Sequence, residues 1–151
     1  MTRLDNWQTN LSELLKSRMA EPFHIERFNC LMWGFEAAQA VTGVDHYLPF
    51  RGKFKSAKGA AKVLRQVGQA ETCVELLERL FGEKKPLAFA RRGDIVAADV
   101  ATLGLSLPSD VELFGPAIGV AYGLNTYFLG ENGLVPVETL RLGPESYGFH
   151  C

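Results

Sequence analysis

The segment from Cys30 to Val41 constrains the fold more than any other part of the chain. It is apolar on almost every side and is broken only by Gly34, Glu36 and Gln39. A run of this length can form about three helical turns and is too short to span a bilayer. The sequence therefore predicts a helix that is buried in the core of a globular domain.

Cys30 stands in the first turn of this predicted helix, after Asn29, a preferred N-cap residue, and before Gly43, which suits a left-handed helix end. Unpaired N–H groups and the positive end of the helix dipole favour a thiolate there, so the position predicts a lowered pKa for Cys30. Such a cysteine is a candidate nucleophile if a histidine lies within hydrogen-bond reach. The alternative is a small buried hydrophobic residue.

Length and composition narrow the class of protein. The 151 residues predict one domain over 1–151, and a net charge of -1 gives no broad basic surface for nucleic acid. The three cysteines, Cys30, Cys73 and Cys151, are widely spaced and form no CxxC pair, which argues against a disulfide framework and a zinc site. We expect no metal, no cofactor, no signal peptide and no membrane span.

Three further segments have apolar residues at helical spacing. We expect amphipathic helices from Asp5 to about Met19, between a Ser56 cap and Gly68, and over 73–81. Thr72 and Glu75 have the spacing of a capping box at the start of the last helix.

The second half of the chain changes to short apolar runs separated by turns, which predicts strands. The Asn132-Gly133 pair indicates a hairpin. A loop is expected over 100–115, and the tail over 142–151 has no periodicity. The predicted strands are Leu87–Ala90, Ile95–Ala98, Ala117–Tyr122, Thr126–Leu129 and Leu134–Val137. The fold class expected is α+β, with N-terminal helices packed on a small antiparallel sheet.

A helix-borne cysteine followed by antiparallel strands resembles the NlpC-type cell-wall cysteine peptidases, which have a papain-like fold. Three stretches carry the resemblance: Asn29-Cys30-Leu31-Met32 at the cysteine motif, Arg92-Gly93-Asp94-Ile95-Val96 at the first strand, and Pro116-Ala117-Ile118-Gly119-Val120 at the next. The family's catalytic histidine stands where this chain has Ala117. The loss of that general base implies a rate lower by several orders of magnitude.

The chain also resembles a family of small proteins, a domain of unknown function, that is encoded in the tail gene modules of temperate phages. The match extends to about residue 140. Its motifs are Trp7, Pro22-Phe23, Asn29-Cys30, Thr42-Gly43-Val44-Asp45, Phe50-Arg51-Gly52, Gly68, Ala90-Arg91-Arg92-Gly93-Asp94 and Ile118-Gly119-Val120. The resemblance implies a single papain-like (NlpC-type) α+β domain over 1–151.

Three histidines could replace the missing base. His24 precedes the central helix by six residues, His46 follows that helix, and His150 lies at the C-terminus, where chain ends usually fray. His24 is the candidate base because it could fold back towards Cys30. The basic, aromatic connection over 47–55 is either a solvated loop or a docking surface.

The resemblances imply a structural or assembly component of a bacteriophage tail, at the tail tip. It would be a degenerate cysteine-peptidase-like domain that binds other tail proteins, with Cys30 as a vestigial nucleophile. It would be made in the host cytoplasm and reside in the virion. The alternative is an active cysteine peptidase or amidase that cleaves peptidoglycan during phage entry, with Cys30 as nucleophile and His24 as base.

Overall fold

The computed structural model of the chain describes residues 2–99 and 116–151. Within these residues the fold is α+β: four α-helices precede and cover a six-stranded, open antiparallel sheet. The helices are α1 Trp7–Arg18, α2 Cys30–Thr42, α3 Ala57–Gln66 and α4 Cys73–Phe81. All four predicted helices are confirmed. None of the helices in the described part of the chain is long and apolar enough to cross a membrane.

The sheet has the strand order β1-β6-β2-β3-β4-β5, and every neighbouring pair is antiparallel. Its strands are β1 Lys85–Pro86, β2 Ile95–Ala98, β3 Ala117–Tyr122, β4 Asn125–Gly130, β5 Gly133–Glu138 and β6 Tyr147–Phe149. The predicted hairpin between β4 and β5 is confirmed, and Gly133 has a φ of 126° at its end. The loop predicted over 100–115 lies outside the described residues.

One expected strand is absent from the sheet, and one strand that was not predicted is present. Leu87–Phe89 forms a 3-10 helix rather than a strand, and β1 precedes it. The tail contains β6, which lies between β1 and β2 and pairs with both. A strand of three residues is too short to show alternation in the sequence, so its pairing partners, and not its own pattern, define it.

The caps predicted for α2 are both present. Asn29 Oδ1 accepts a hydrogen bond from the Met32 N–H at 2.9 Å, and Gly43 adopts a left-handed φ of 82°. Ser56 and Thr72 cap α3 and α4 in the same way, through the N–H groups of Gly59 and Glu75. These local signals begin the three helices and end α2 where the sequence places them, whereas α3 ends at Gln66, slightly before the expected Gly68.

Helix α2 lies buried against the sheet, as predicted. Trp33 and Phe35 are 0% exposed. A Cβ at Gly34 would stand 2.9 Å from Ile118 Cγ2, so glycine is what allows the helix to approach β3 this closely. Trp33 Nε1 donates to the Tyr127 carbonyl oxygen on β4 at 2.9 Å. The helix is thereby held by packing on one strand and by a hydrogen bond to the next.

The two faces of the sheet contact different parts of the core. Ile118 and Val120 belong to the cluster that includes α2, whereas Ala117 and Phe128 belong to a second cluster. Side chains alternate between faces along a strand, so Ala117 points away from α2 and Ile118 points towards it.

Candidate functional site

Cys30 begins α2 and is almost fully buried, with 4% of its surface exposed. Burial raises the pKa of its thiol to about 11, and this effect outweighs hydrogen bonding from the backbone of Ile118, Leu31 and Cys30 itself. The lowered pKa expected from the helix position is therefore wrong. The helix end favours the thiolate, but the sheet that covers it removes the water a thiolate needs.

His24 lies in the turn before α2, and its Nδ1 accepts hydrogen bonds from the backbone N–H groups of Glu26 and Arg27 at 3.2 and 3.3 Å. One of its ring nitrogens is thus used to shape the turn. Within residues 2–99 and 116–151, no histidine ring nitrogen is hydrogen-bonded to Cys30. The geometry brings His24 to the same end of α2 as Cys30 without joining the two side chains.

His46 lies among aromatic rings, with its ring centroid 5.9 Å from that of Phe35 and 4.9 Å from that of Phe81. Its Nε2 is buried and has no hydrogen-bond partner among residues 2–99 and 116–151. Burial lowers the pKa of His46, and the neighbouring Asp45 opposes this shift only in part. The surroundings of the half-buried His46 therefore favour a neutral ring.

His150 is held firmly, and the fraying expected at the C-terminus does not occur. Its Nδ1 donates to Asp94 Oδ2 at 2.6 Å, and Asp94 is 0% exposed. The other carboxylate oxygen accepts from the Cys151 N–H at 3.2 Å and from Arg3 at 3.1 Å, and Oδ2 also accepts from the Arg91 N–H at 2.8 Å. The buried carboxylate thus joins the first residues, the turn before β2 and the end of the chain.

A histidine oriented by a buried carboxylate is the base half of a catalytic triad, but this pair lies far from Cys30. A Cβ at Gly93 would stand 3.0 Å from Val41, near the C-terminal end of α2. Cys30 and Val41 are about 16 Å apart along the helix axis. Asp94 and His150 therefore lie at the opposite end of α2 and form a structural clamp rather than the partner of Cys30.

The side chain that faces α2 from β3 is Ile118, and this corrects the role expected for Ala117. Ala117 packs with Val96, Ala98 and Phe128 on the far face of the sheet. A histidine at position 117 would follow the same strand alternation and point away from the cysteine. The Ile118 side chain, which packs against α2 at Gly34, offers no proton acceptor.

Asn29, directly before Cys30, connects the start of α2 to two neighbouring segments. It is fully buried, and its Nδ2 donates to the Ile25 carbonyl oxygen at 3.0 Å and to the Tyr47 hydroxyl at 3.1 Å. A carboxylate only accepts hydrogen bonds, so aspartate could not pair with that carbonyl oxygen. The amide links the lead-in turn and the loop after α2 to the helix start.

The other two cysteines are also buried and free. Burial raises the pKa of Cys73 well above its ordinary value and raises that of Cys151 to about 12. In the parts of the chain that the structure describes, no three or more His, Cys, Asp or Glu side chains are grouped so that they could hold a metal ion. The expected lack of a cofactor stays a prediction.

Sequence reasoning missed the clamp at Asp94. Its signal is an aspartate directly before an apolar strand, within the turn at 91–94. The partners of Asp94 are 91 positions earlier in the chain, at Arg3, and 56 positions later, at His150. Nothing in the local pattern relates the three residues.

The Cys30 thiol should resist alkylation in the folded protein. With a pKa of about 11 and 4% exposure, its labelling by iodoacetamide at pH 8 should be at least about 100-fold slower than in guanidinium. Peptide mapping by mass spectrometry measures the rate at each cysteine, and the unfolded chain is the control. Rapid labelling of native Cys30 at neutral pH would contradict the buried, protonated thiol.

His46 should make stability depend on pH. Its folded-state pKa lies below the ordinary 6.5, so the unfolded chain binds the proton more readily. The full stabilisation is present above about pH 6.5 and is lost as the pH falls towards the folded-state pKa. His46→Phe keeps the ring packing and should reduce this loss, which denaturant midpoints between pH 7 and pH 5 will measure.

The comparison variant is His24→Asn, which keeps a hydrogen-bond acceptor in the turn and leaves the ring of His46 in place. If His46→Phe shows the same loss of stability in acid as the wild type, the His46 imidazole is not the source of that loss.

The fold and site define a class: a small α+β domain with an open antiparallel sheet and a buried, protonated cysteine at the head of its central helix. The chain belongs to the domain-of-unknown-function family DUF6950, whose model matches residues 2–143. No significant match to a curated protein or to a solved structure was found. The family description carries no function, so the phage-tail and NlpC-type resemblances stay predictions.

Proposed function

We propose that this protein is a non-enzymatic structural or assembly component of a bacteriophage tail, at the tail tip. It is a degenerate NlpC-type, papain-like domain that keeps the scaffold and binds other tail proteins. The tail location rests on the motif resemblance across most of the chain.

The observation that carries the non-enzymatic part of the proposal is the state of Cys30. A nucleophilic cysteine needs a thiolate and a base. Here burial raises the thiol pKa to about 11, and β3 presents Ile118 to α2. Asp94 and His150 form a carboxylate–histidine pair of the kind that acts as a general base, but the pair lies at the opposite end of α2 from Cys30. The chain retains the helix-on-sheet frame without the machinery for hydrolysis.

The test compares the wild type with Cys30→Ala on purified peptidoglycan, with an active NlpC-type peptidase as positive control. We expect no soluble muropeptide fragments above the Cys30→Ala background by chromatography. Clear Cys30-dependent release would overturn the non-enzymatic proposal.

Immunogold electron microscopy of purified virions tests the location, and label at the tail tip is expected. Virions without the chain would overturn the assignment to the tail.

The second candidate is a cysteine peptidase or amidase acting on peptidoglycan during phage entry. One observation favours it: Cys30 is the first residue of α2, where backbone N–H groups of Leu31 and Cys30 lower the thiol pKa in part. Those groups could also steady an oxyanion. Activity would require His24 to leave its turn and reach the sulfur, so His24→Asn should abolish any hydrolysis that is seen.

A further inference from the structure

A cationic groove lies beside α2, on the side that faces α1. It has a volume of about 430 Å³, and we call it the arginine groove after Arg18, Arg27 and Arg51, which line it together with Met32, Glu36 and Gln39. The three arginines come from separate elements: the end of α1, the turn before α2 and the loop after it. The groove is within the usual size range of binding pockets in proteins.

The three arginines differ in whether their guanidinium groups already have ion-pair and hydrogen-bond partners within the protein. Arg18 is committed to Glu36 by a bidentate pair, with Nη2 2.7 Å from Oε1, and it also lies over the Phe28 ring. This pair is partly buried and forms a fixed wall of the groove. It leaves the other two arginines as the cations available to a ligand.

Arg27 is exposed, and its side chain has no ion pair or hydrogen bond with any residue of the described ranges 2–99 and 116–151. Among the described residues, the side chain of Arg51 has one ion pair, with Asp45 at 3.5 Å, and its guanidinium lies 5.3 Å from the centroid of the Tyr47 ring. The side chain is 53% exposed. An ion pair this long and this exposed contributes little, so a better placed carboxylate can replace it. Two guanidinium groups with unused donors therefore border one groove.

The chemistry of the groove selects the kind of ligand. Guanidinium groups bind carboxylates in a bidentate geometry, and the buried Met32 together with Leu14 adds apolar surface for a peptide's side chains or backbone. A long polyanion is disfavoured, because the chain has a net charge of -1 and no broad basic face.

We propose that the arginine groove binds a short acidic segment of a partner protein, with Arg27 and Arg51 holding successive carboxylates. This inference rests on the proposed assembly function, and it identifies the surface that binds the partner and the acidic character of the segment that is bound. The Arg18–Glu36 pair forms one wall of the groove, and a ligand carboxylate must lie away from Glu36 because the two negative charges repel. Binding is electrostatic in large part and weakens as salt is added.

The test is fluorescence anisotropy with a fluorescein-labelled tetraglutamate peptide at low salt. In the double variant Arg27→Glu/Arg51→Glu we expect the dissociation constant to rise at least about tenfold. The matched control is Lys62→Glu/Arg65→Glu on α3, which changes the net charge equally at two exposed positions and should keep the wild-type affinity. The neutral variant Arg27→Gln/Arg51→Gln should also bind more weakly than the wild type.

Three results would overturn the proposal: no binding to the wild type, equal losses in the groove variant and in the α3 control, or displacement by inorganic phosphate at the same concentration as the peptide. The last result would mean a simple anion site. Thermal unfolding of each variant shows whether it is folded. Peptide binding does not involve Cys30, so its failure leaves the peptidoglycan and virion tests unaffected, and their failure leaves the groove unaffected.

Discussion

Replacing Asp94 with alanine is expected to lower the free energy of unfolding by about 3–5 kcal/mol. Asp94 is 0% exposed, and its oxygens accept hydrogen bonds from Arg3, His150 and the backbone N–H groups of Arg91 and Cys151. The variant leaves His150 and the two backbone N–H groups without this acceptor, whereas Arg3 keeps its hydrogen bonds to the carbonyl oxygens of Arg92 and Cys151. It therefore weakens the attachment of both chain ends to the turn before β2. Guanidinium denaturation followed by circular dichroism measures the loss.

The matched control removes a carboxylate that is exposed. Glu138 pairs with Arg141 at 3.0 Å, but the two side chains are 61% and 79% exposed, so Glu138→Ala should change stability by less than about 1 kcal/mol. Asp94→Asn keeps the shape and one acceptor and should fall between the two. If Asp94→Ala is no more destabilising than Glu138→Ala, the clamp does not stabilise the fold.

Replacing Trp33 with alanine should cost a similar amount, about 3–5 kcal/mol. Trp33 is fully buried, its ring packs edge-on against Phe28 at 6.1 Å, and Nε1 donates to the Tyr127 carbonyl oxygen. Alanine leaves a cavity between α2 and the sheet and an unpaired carbonyl. The same denaturation experiment applies, and hydrogen exchange at α2 amides should accelerate.

The Trp33→Phe variant distinguishes the cost of the lost hydrogen bond from the cost of the cavity. It retains most of the apolar contact and loses only the hydrogen bond, so a loss of about 1–3 kcal/mol is expected. Trp7, partly exposed on α1 beneath Arg3, provides the matched tryptophan, and Trp7→Ala should cost less than Trp33→Ala. Equal costs at the two positions would contradict the view that α2 is the centre of the core.

The helices were predictable because their signals are local. The apolar run, the Asn29 cap and the Gly43 end all lie within α2 or beside it, and backbone hydrogen bonds of a helix join residues four positions apart. The same holds for the Ser56 and Thr72 caps. β6 had no such signal, because it is defined by pairing with β1 and β2, whose paired residues lie 50 to 63 positions earlier in the chain.

The candidate site was predictable in position and not in chemistry. The sequence places Cys30 at the start of α2, and the helix end alone predicts a reactive thiolate. The pKa depends instead on how much water reaches the sulfur, which is set by the sheet packed over it. The face on which Ala117 lies depends on the register of β3, and that register placed Ile118 towards α2.

The sequence by itself determined the α+β class, the four helices with their caps, and the presence of a cysteine at a helix head. Tertiary structure alone decided that this thiol is protonated and that Asp94 binds His150 and Arg3. It also decided that three distant arginines border one groove. The reason is physical: helix formation depends on neighbours in the chain, whereas desolvation and charge pairing depend on neighbours in space.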